Sequence, residues 1–409
     1  MSNGHGEDTV GAALAARVRT LAGNRARIVA WPIVGRGAPY EVAGIQLVGP
    51  RRELPSGGLG YLSHALLLRD VFNGGVSLVL RQLAFALRKG RAFDAVVGVG
   101  DRVTLLVNHY ILKRPMVWVA IADSVRYLPA GREVGNPRMW RAMRSPVCRA
   151  VFARDPETRD SLNRLGIAAQ YVGNPMMDLV DASTTQCAGD RLQVDEMLRA
   201  SGVPDEGPLV VLLPGSRNDA YVNLPDQLEA FRHLVGLTAG NVRAAVAWAP
   251  SLQIEKLRAP LAQMGWRLEA SGGQSPAGRA VWVGDGAPAV LHPVPLVVGY
   301  FGDLLQRADV VIGQAGTAVE QAAGLGKPVI TFPGRGAQVP MRFLRAQKQM
   351  LGEAVLIAEP RPERVAEAVL AVLSDADLKE RMAAAGRERM GPPGALGIIA
   401  QRIVEELVP

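Results

Sequence analysis

Cysteine is almost absent from this chain of 409 residues: Cys148 and Cys187 are the only two. Their spacing fits neither a disulfide framework nor a metal site, so a reducing compartment is expected. Aromatic residues are also scarce, at 5%; Ala, Val, Leu and Gly dominate, which suits helix-covered parallel sheets built from short aliphatic strands. The N-terminus carries no basic-then-apolar leader. No run of eighteen or more uncharged apolar residues reads as a spanning helix. These absences point to the cytoplasm. A hydrophobic content of 48% with 21% charged residues excludes a disordered chain. The length suffices for two domains with full cores.

Acidic residues are sparse in the first half alone. Met1–Val180 holds 24 Lys/Arg against 13 Asp/Glu, whereas Asp181–Pro409 holds 22 against 25. The basic half is therefore expected to meet something acidic, such as a membrane surface, a phosphorylated lipid or nucleic acid. An Arg-rich proteome would give the same excess with no partner at all.

Strand and helix signals alternate along the first half: strands at Arg27–Val34, Phe93–Val99, Pro115–Ile121, Ala150–Ala153 and Ala169–Val172, helices at Thr9–Leu21, Arg102–Tyr110 and Pro156–Leu165. After a linker the pattern restarts, with strands at Leu209–Leu213 and Val242–Trp248, helices at Val222–Val235 and Ser251–Met264, a loop at Ser271–Gly278 and a short strand at Ala289–Leu291. Such alternation indicates parallel sheets. The expected domains are 1–178 and 208–409, with 179–207 between them. Ligands in such sheets bind beyond the carboxyl ends of the strands, and two such domains would enclose a cleft.

The most informative stretch runs from Asp309 to Pro333. An apolar strand ends at Gly313, a turn of small residues (Ala315-Gly316-Thr317) opens a helix, Glu320 lies one turn inside it, and Lys327-Pro328 leads into a second apolar strand. Free N–H groups at that helix start form an anion site, and the carboxylate is placed for sugar hydroxyls. A nucleotide diphosphate-sugar fits both. Pro214-Gly-Ser-Arg217 follows the first strand of the second half; Gly215 and Ser216 permit close approach of a phosphate and Arg217 can neutralise it.

Ser2-Asn-Gly-His-Gly-Glu-Asp8 is a second constellation, read as a glycine-rich turn before a helix. His5 can act as a general base, with Glu7 or Asp8 orienting it or capping the helix; Asp8 reads best as a cap. Asp101 follows the strand ending at Gly100 and is a rival base or an N-cap. Asn108 and His109 read as structural. Gly173-Asn-Pro175 reads as the start of an interdomain hinge, with Asn174 lining the cleft. Leu59–Leu87 is long, aliphatic and punctuated by Arg69 and Arg81, with Arg88, Lys89 and Arg91 just beyond; it reads as a helical pair able to lie on an anionic bilayer.

Taken together, Ser-Asn-Gly-His-Gly-Glu-Asp (2–8), Gly-Asn-Pro-Met-Met-Asp (173–178), Leu-Pro-Gly-Ser-Arg (213–217), Gly-Thr-Ala-Val-Glu-Gln (316–321) and Met-Gly-Pro-Pro-Gly (390–394) resemble the lipid-A-disaccharide synthase-related proteins. The chain is more distantly similar to lipid-A-disaccharide synthase and to the cell-wall N-acetylglucosaminyltransferase. The resemblance covers essentially the whole chain. It implies an α/β GT-B architecture: two Rossmann-like doubly wound domains facing a cleft, the donor nucleotide in the C-terminal one and the acceptor in the N-terminal one, with the last helix crossing back. It implies inverting transfer from a UDP-sugar to a lipid-linked or glycolipid acceptor at the inner face of the cytoplasmic membrane, with no metal, no further cofactor and no nucleic acid. Gly215, Ser216, Arg217, Ala315, Gly316 and Thr317 would hold the diphosphate, Glu320 the ribose, and Gln338 or Gln347 the donor sugar. Asn3, Gly4, Glu7 and Asn174 would lie on the acceptor side, and His5 or Asp101 would be the base. A UDP-sugar 2-epimerase and a non-catalytic nucleotide-sugar-binding protein are the alternatives.

The family pattern has an apolar strand before Ser2–His5, where this sequence has only Met1. The central first strand is therefore expected to be missing, through a start upstream of Met1 or a locally compromised domain.

Overall fold

A computed structural model of the chain describes residues 1–52, 74–129, 131–180, 188–270, 277–284, 293–335 and 339–409; the side chains of His5 and 188–192 also lie outside the description. The chain folds as two compact units. Met1–Leu179 and Pro392–Pro409 form the first, Val180–Gly391 the second.

In the first unit, Val29–Ala30 (β1) pairs in parallel with Gln46–Leu47 (β2). Val96–Val99 (β3), Met116–Ala120 (β4), Cys148–Ala153 (β5) and Ala169–Gln170 (β6) form a parallel sheet in that order. Met1 and Ser2 join the two. Ser2 bridges Pro32, just beyond β1, and the Met1 carbonyl accepts the Val99 N–H at 2.9 Å. The Met1 amino group donates to the Val97 carbonyl at 2.6 Å. Across these pairings the order is that of a doubly wound sheet, with residues 1–2 in the central position. That position, expected to be empty, is filled over two residues at its carboxyl end. β4 is buried on both faces, as the middle of a helix-covered parallel sheet must be.

The closing helix Ala395–Leu407 belongs to this first unit and packs along the N-terminal helix His5–Ala22. The Asp178 carboxylate accepts the Gly394 and Leu396 N–H groups at 3.0 and 3.2 Å, capping that closing helix. Gly173-Asn-Pro175 takes part in the same junction. Asn174 is buried, its N–H donates to the Pro392 carbonyl and its Oδ1 accepts from Met176. Gly173 has φ +101, and a Cβ there would lie 2.8 Å from the Pro392 carbonyl oxygen. Asn174 thus holds the returning chain.

The second unit carries eight described strands: Leu209–Leu213 (β7), Arg243–Ala247 (β8), Trp266–Ala270 (β9), Gly278–Trp282 (β10), Val294–Val297 (β11), Val310–Gly313 (β12), Val329–Thr331 (β13) and Val355–Ile357 (β14). Their order is β14-β13-β12-β7-β8-β11-β10-β9, with only β10 antiparallel to its neighbours. From β7 the chain passes to β8 and on to the edge strand β9, comes back through β10 to β11 beside β8, and then crosses to β12 on the opposite side of β7. The β7–β12 boundary is therefore the topological switch point, where ligands bind in such sheets.

The expected loop at Ser271–Gly278 falls between β9 and β10, with 271–276 outside the described residues and Gly278 opening β10; in β9, Trp266 and Leu268 are buried while Arg267 is exposed. The expected strand at Ala289–Leu291 lies outside the described residues. The segment Asp178–Pro208, which reads as a linker plus a helix, carries the helix Ala188–Ala200, part of the second unit.

Candidate functional site

In the second unit, two turns leave β7 and β12 side by side. Gly313 pairs with Leu213, and the Gln314 N–H donates to the Leu213 carbonyl at 2.8 Å. Pro214, Gly215, Ser216, Arg217, Asp219, Asn223, Gln314 and Val339 line one small hollow. Gly215 has φ +109, a backbone setting that favours glycine. Gly313 admits the helix Thr317–Gly324 closely: a Cβ there would overlap Val319. Glu320 is buried in the first turn of that helix, so Ala315, Gly316, Thr317 and Glu320 lie on one turn beside Ser216 and Arg217.

Three buried amides behind these turns escaped the sequence reading. Gln227 Nε2 donates to the Leu213 carbonyl at 3.1 Å and to Gln314 Oε1 at 3.2 Å. Gln314 Nε2 donates to the Phe332 carbonyl at 3.3 Å. Asn223 Nδ2 donates to the Pro214 carbonyl, and Asn223 Oδ1 accepts the Arg335 N–H. Three strand ends are thereby tied together. The sequence signal was present: Asn223 and Gln227 stand one helical turn apart on the inward face of the apolar helix Ala220–Leu237.

Gln347 Nε2 donates to the carbonyls of Ala315 and Gly316 at 3.2 and 3.3 Å, and its side chain is buried, so it holds that turn. Gln338 lies outside the described residues.

In the first unit, the segment after Ser2 is less of a turn than expected. The N-terminal helix begins at His5 with Gly4 as N-cap, so Glu7 and Asp8 sit in its first turn. Glu7 Oε2 accepts the Asn3 N–H at 2.7 Å. Asp8 is corrected: it accepts the Ser2 hydroxyl at 2.6 Å, not a helix-end N–H. Tyr40 donates in turn to Ser2 Oγ at 2.9 Å, so Asp8 anchors a buried Ser2–Tyr40 chain.

Asp101 caps the helix Arg102–Val107 through Val103 N–H, at 2.8 Å. Its other oxygen accepts Asn3 Nδ2 at 2.7 Å. Asn3 therefore holds two carboxylates at once. Glu7 lies directly over Gly100, where φ is +114 and a Cβ would overlap the carboxyl group. Asp123, a further acid with no sequence motif around it, pairs with Arg102 at 2.6 Å at the edge of this group.

Burial, then the neighbouring Asp101 charge, holds the Glu7 carboxyl well above the usual carboxylate range, against the pull of the Asn3 N–H. Burial also raises Asp101, opposed by its bonds from Asn3 and Val103. Of His5 only the backbone position, first in its helix, is described.

No protein-family model matches the chain. A lipid-A-disaccharide synthase of Myxococcus xanthus is 27% identical over 271 residues, 62% of this chain and 61% of that protein. One from Syntrophus aciditrophicus is 26% identical over 248 residues, 56% and 55% of the two chains. The matched region thus spans at most 61% of the length of these two relatives. Among solved structures, a Neisseria meningitidis UDP-GlcNAc 2-epimerase bound to UDP-GlcNAc superposes with a TM-score of 0.54 at 14% identity, covering 99% of this chain and 98% of that one. A spinosyn rhamnosyltransferase complexed with spinosyn aglycone gives 0.52 at 16%, covering 98% and 99%. At such identities the likeness is one of fold: α/β, with parallel sheets, of the GT-B type.

Proposed function

From this distant kinship with the lipid-A-disaccharide synthases, we propose that the chain is an inverting glycosyltransferase moving a sugar from a UDP-sugar to a lipid-linked or glycolipid acceptor. The observation that carries the reading is the pair of turns at the β7–β12 switch point, a glycine-containing turn with Arg217 beside a helix start with Glu320 one turn in. Gly215, Ser216, Arg217 and the Ala315–Thr317 backbone take the diphosphate, and Glu320 takes the ribose. The first unit supplies the base. The acceptor hydroxyl gives its proton to Asp101 as its oxygen attacks the anomeric carbon. The bond from that carbon to the diphosphate oxygen breaks, and UDP leaves with its charge stabilised by Arg217 and the helix start. Glu7 keeps a proton and so leaves Asp101 as the ionised member of the pair. The protein works at the inner face of the cytoplasmic membrane, where such an acceptor resides.

Sequence kinship favours transfer over epimerisation, because the epimerases match in fold alone. The test is UDP release from a UDP-sugar panel with and without lipid extract. Transfer requires release that depends on the lipid. Release without lipid overturns the acceptor assignment and favours an epimerase, and UDP-sugar binding with no release in any fraction favours a binding protein. Glu320→Ala is expected to weaken UDP binding about tenfold or more; unchanged binding removes Glu320 from the site.

A further inference from the structure

Because Met1 and Ser2 run between β1 and β3, Asn3 emerges at the carboxyl edge of that sheet, beside Asp101. Its two amides meet two different acids. The main-chain N–H donates to Glu7 Oε2 at 2.7 Å, in the first turn of the helix His5–Ala22. The side-chain Nδ2 donates to Asp101 Oδ2, also at 2.7 Å, across 98 positions of sequence. Any residue but proline at position 3 can make the first bond; the second needs a side-chain donor of this length. The other Asp101 oxygen accepts the Val103 N–H at 2.8 Å, which ties the carboxylate to its own helix. The Asn3 bond then fixes the direction of Oδ2, because a carboxylate held at both oxygens cannot turn about its side-chain torsions. Each oxygen keeps a second lone pair, so a proton can still be received.

The charged groups around Glu7 and Asp101 are Asp8 on the same helix as Glu7, Asp123 beyond β4, and Arg102 on the helix that Asp101 caps. Arg102, the one cation among these, is paired with Asp123 at 2.6 Å. Burial pushes the Asp101 carboxyl up, and the Asn3 bond is the strongest pull in the other direction, ahead of the Val103 N–H and the Arg102 charge. A cation in place of Asn3 would hold the anion so tightly that it became a poor base, whereas a neutral amide aims it with less loss of basicity.

We propose that Asn3 is the positioning residue of this site: its side-chain amide holds and aims the Asp101 carboxylate that takes the acceptor proton, and that side chain acts through Asp101 alone. This role rests on Asp101 being the base of the proposed function. Without Asn3, Asp101 is an ordinary helix cap whose second oxygen has no fixed direction.

The test joins two measurements on the full chain: lipid-dependent UDP release against pH, and direct titration of Asp101 through its carboxyl carbon resonance in NMR, identified by its loss in Asp101→Asn. Asn3→Ala removes the bond to Asp101 and keeps the main-chain bond to Glu7. It is expected to lower kcat about tenfold or more with the KM for the UDP-sugar unchanged. The acidic limb of the pH–rate profile and the Asp101 titration are expected to rise together by about one pH unit, because the anion has lost a donor. Asn3→Asp has nearly the same shape but replaces the donor by an acceptor, and is expected to move both further; it keeps the test open should alanine disturb the fold, which the melting temperature reports. In an Asp101→Asn background, Asn3→Ala is expected to lower kcat no further, as a residue acting through Asp101 requires. An Asp101 titration that stays in place in both variants overturns the proposal. So does a loss in Asn3→Ala that adds in full to that of Asp101→Asn, which is the mark of a merely structural role. No lipid-dependent release from the unsubstituted protein overturns the transfer reading and the Asn3 role with it, whereas an unmoved titration with release intact overturns the Asn3 role alone.

Discussion

Asn3 is the residue on which the candidate catalytic group turns. Its backbone holds Glu7 and its side chain holds Asp101, so two carboxylates of unlike sequence context share one partner. Asp101→Asn is expected to cut turnover about 10²–10⁴-fold with UDP affinity intact. Glu7→Gln should retain the contact to Asn3 while removing the competing acid; the acidic limb of the pH–rate profile should keep its position, because a neutral amide replaces a carboxyl that is still protonated where Asp101 ionises. A limb that moves would show that Glu7 carries the charge and would overturn the assignment of Asp101 as the ionised member. Asp8 allows a stability test. Burial raises its carboxyl to about 6, above its ordinary value, so the folded state holds a proton that the unfolded chain has released. Its contribution is fully present below about pH 4 and is lost as pH rises to about 6, by up to about 3 kcal/mol. Asp8→Asn should flatten that decline, measured as urea midpoints between pH 4 and 7. At this scale the sequence was legible for residue types but not for roles. His5, Glu7 and Asp8 stood in one motif, yet Glu7 and Asp101 are 94 positions apart, and only the pairing of Met1 with β3 brings Asn3 to both.

The helix and strand ends around the two turns at the β7–β12 switch point carry the next level. Gln314, Gln227 and Asn223 bind the ends of β7, β12 and β13 into one frame. Gln314→Ala leaves Gln227 without that acceptor and the Phe332 carbonyl without that donor, and is expected to cost about 1–3 kcal/mol in stability. UDP affinity should fall with it. The helix Thr317–Gly324 is braced from behind by Ala376–Met390, where Gly386 lies against the Ala323 carbonyl so closely that a Cβ would overlap it. Backbone cannot yield as a side-chain tip can, so Gly386→Ala should lower the melting temperature of the second unit and weaken UDP binding together. Strands built of aliphatic runs, β4, β7 and β12 among them, were legible because their burial on both faces dictates composition. The β9–β10 ribbon was not, because one face is solvated and charged residues interrupt it.

At the scale of the molecule, the chain enters the second unit once and then returns to finish the first. Pro392–Pro409 supplies a helix that packs on His5–Ala22 and is capped by Asp178. Removal of residues 392–409 is therefore expected to unfold the first unit selectively. Calorimetry should show one transition lowered or lost and the transition of the second unit unchanged; a uniform shift of both would contradict this division. The sequence by itself determined the α/β class, the two strand-turn-helix motifs and the uneven charge, because these depend on local composition, periodicity and residue type. Only the tertiary structure decided that Gln347 holds a turn, that Asn174 holds the returning chain and that Asp101 shares Asn3 with Glu7. Each of those depends on which distant segments meet, and in a parallel sheet neighbouring strands come from separate parts of the chain.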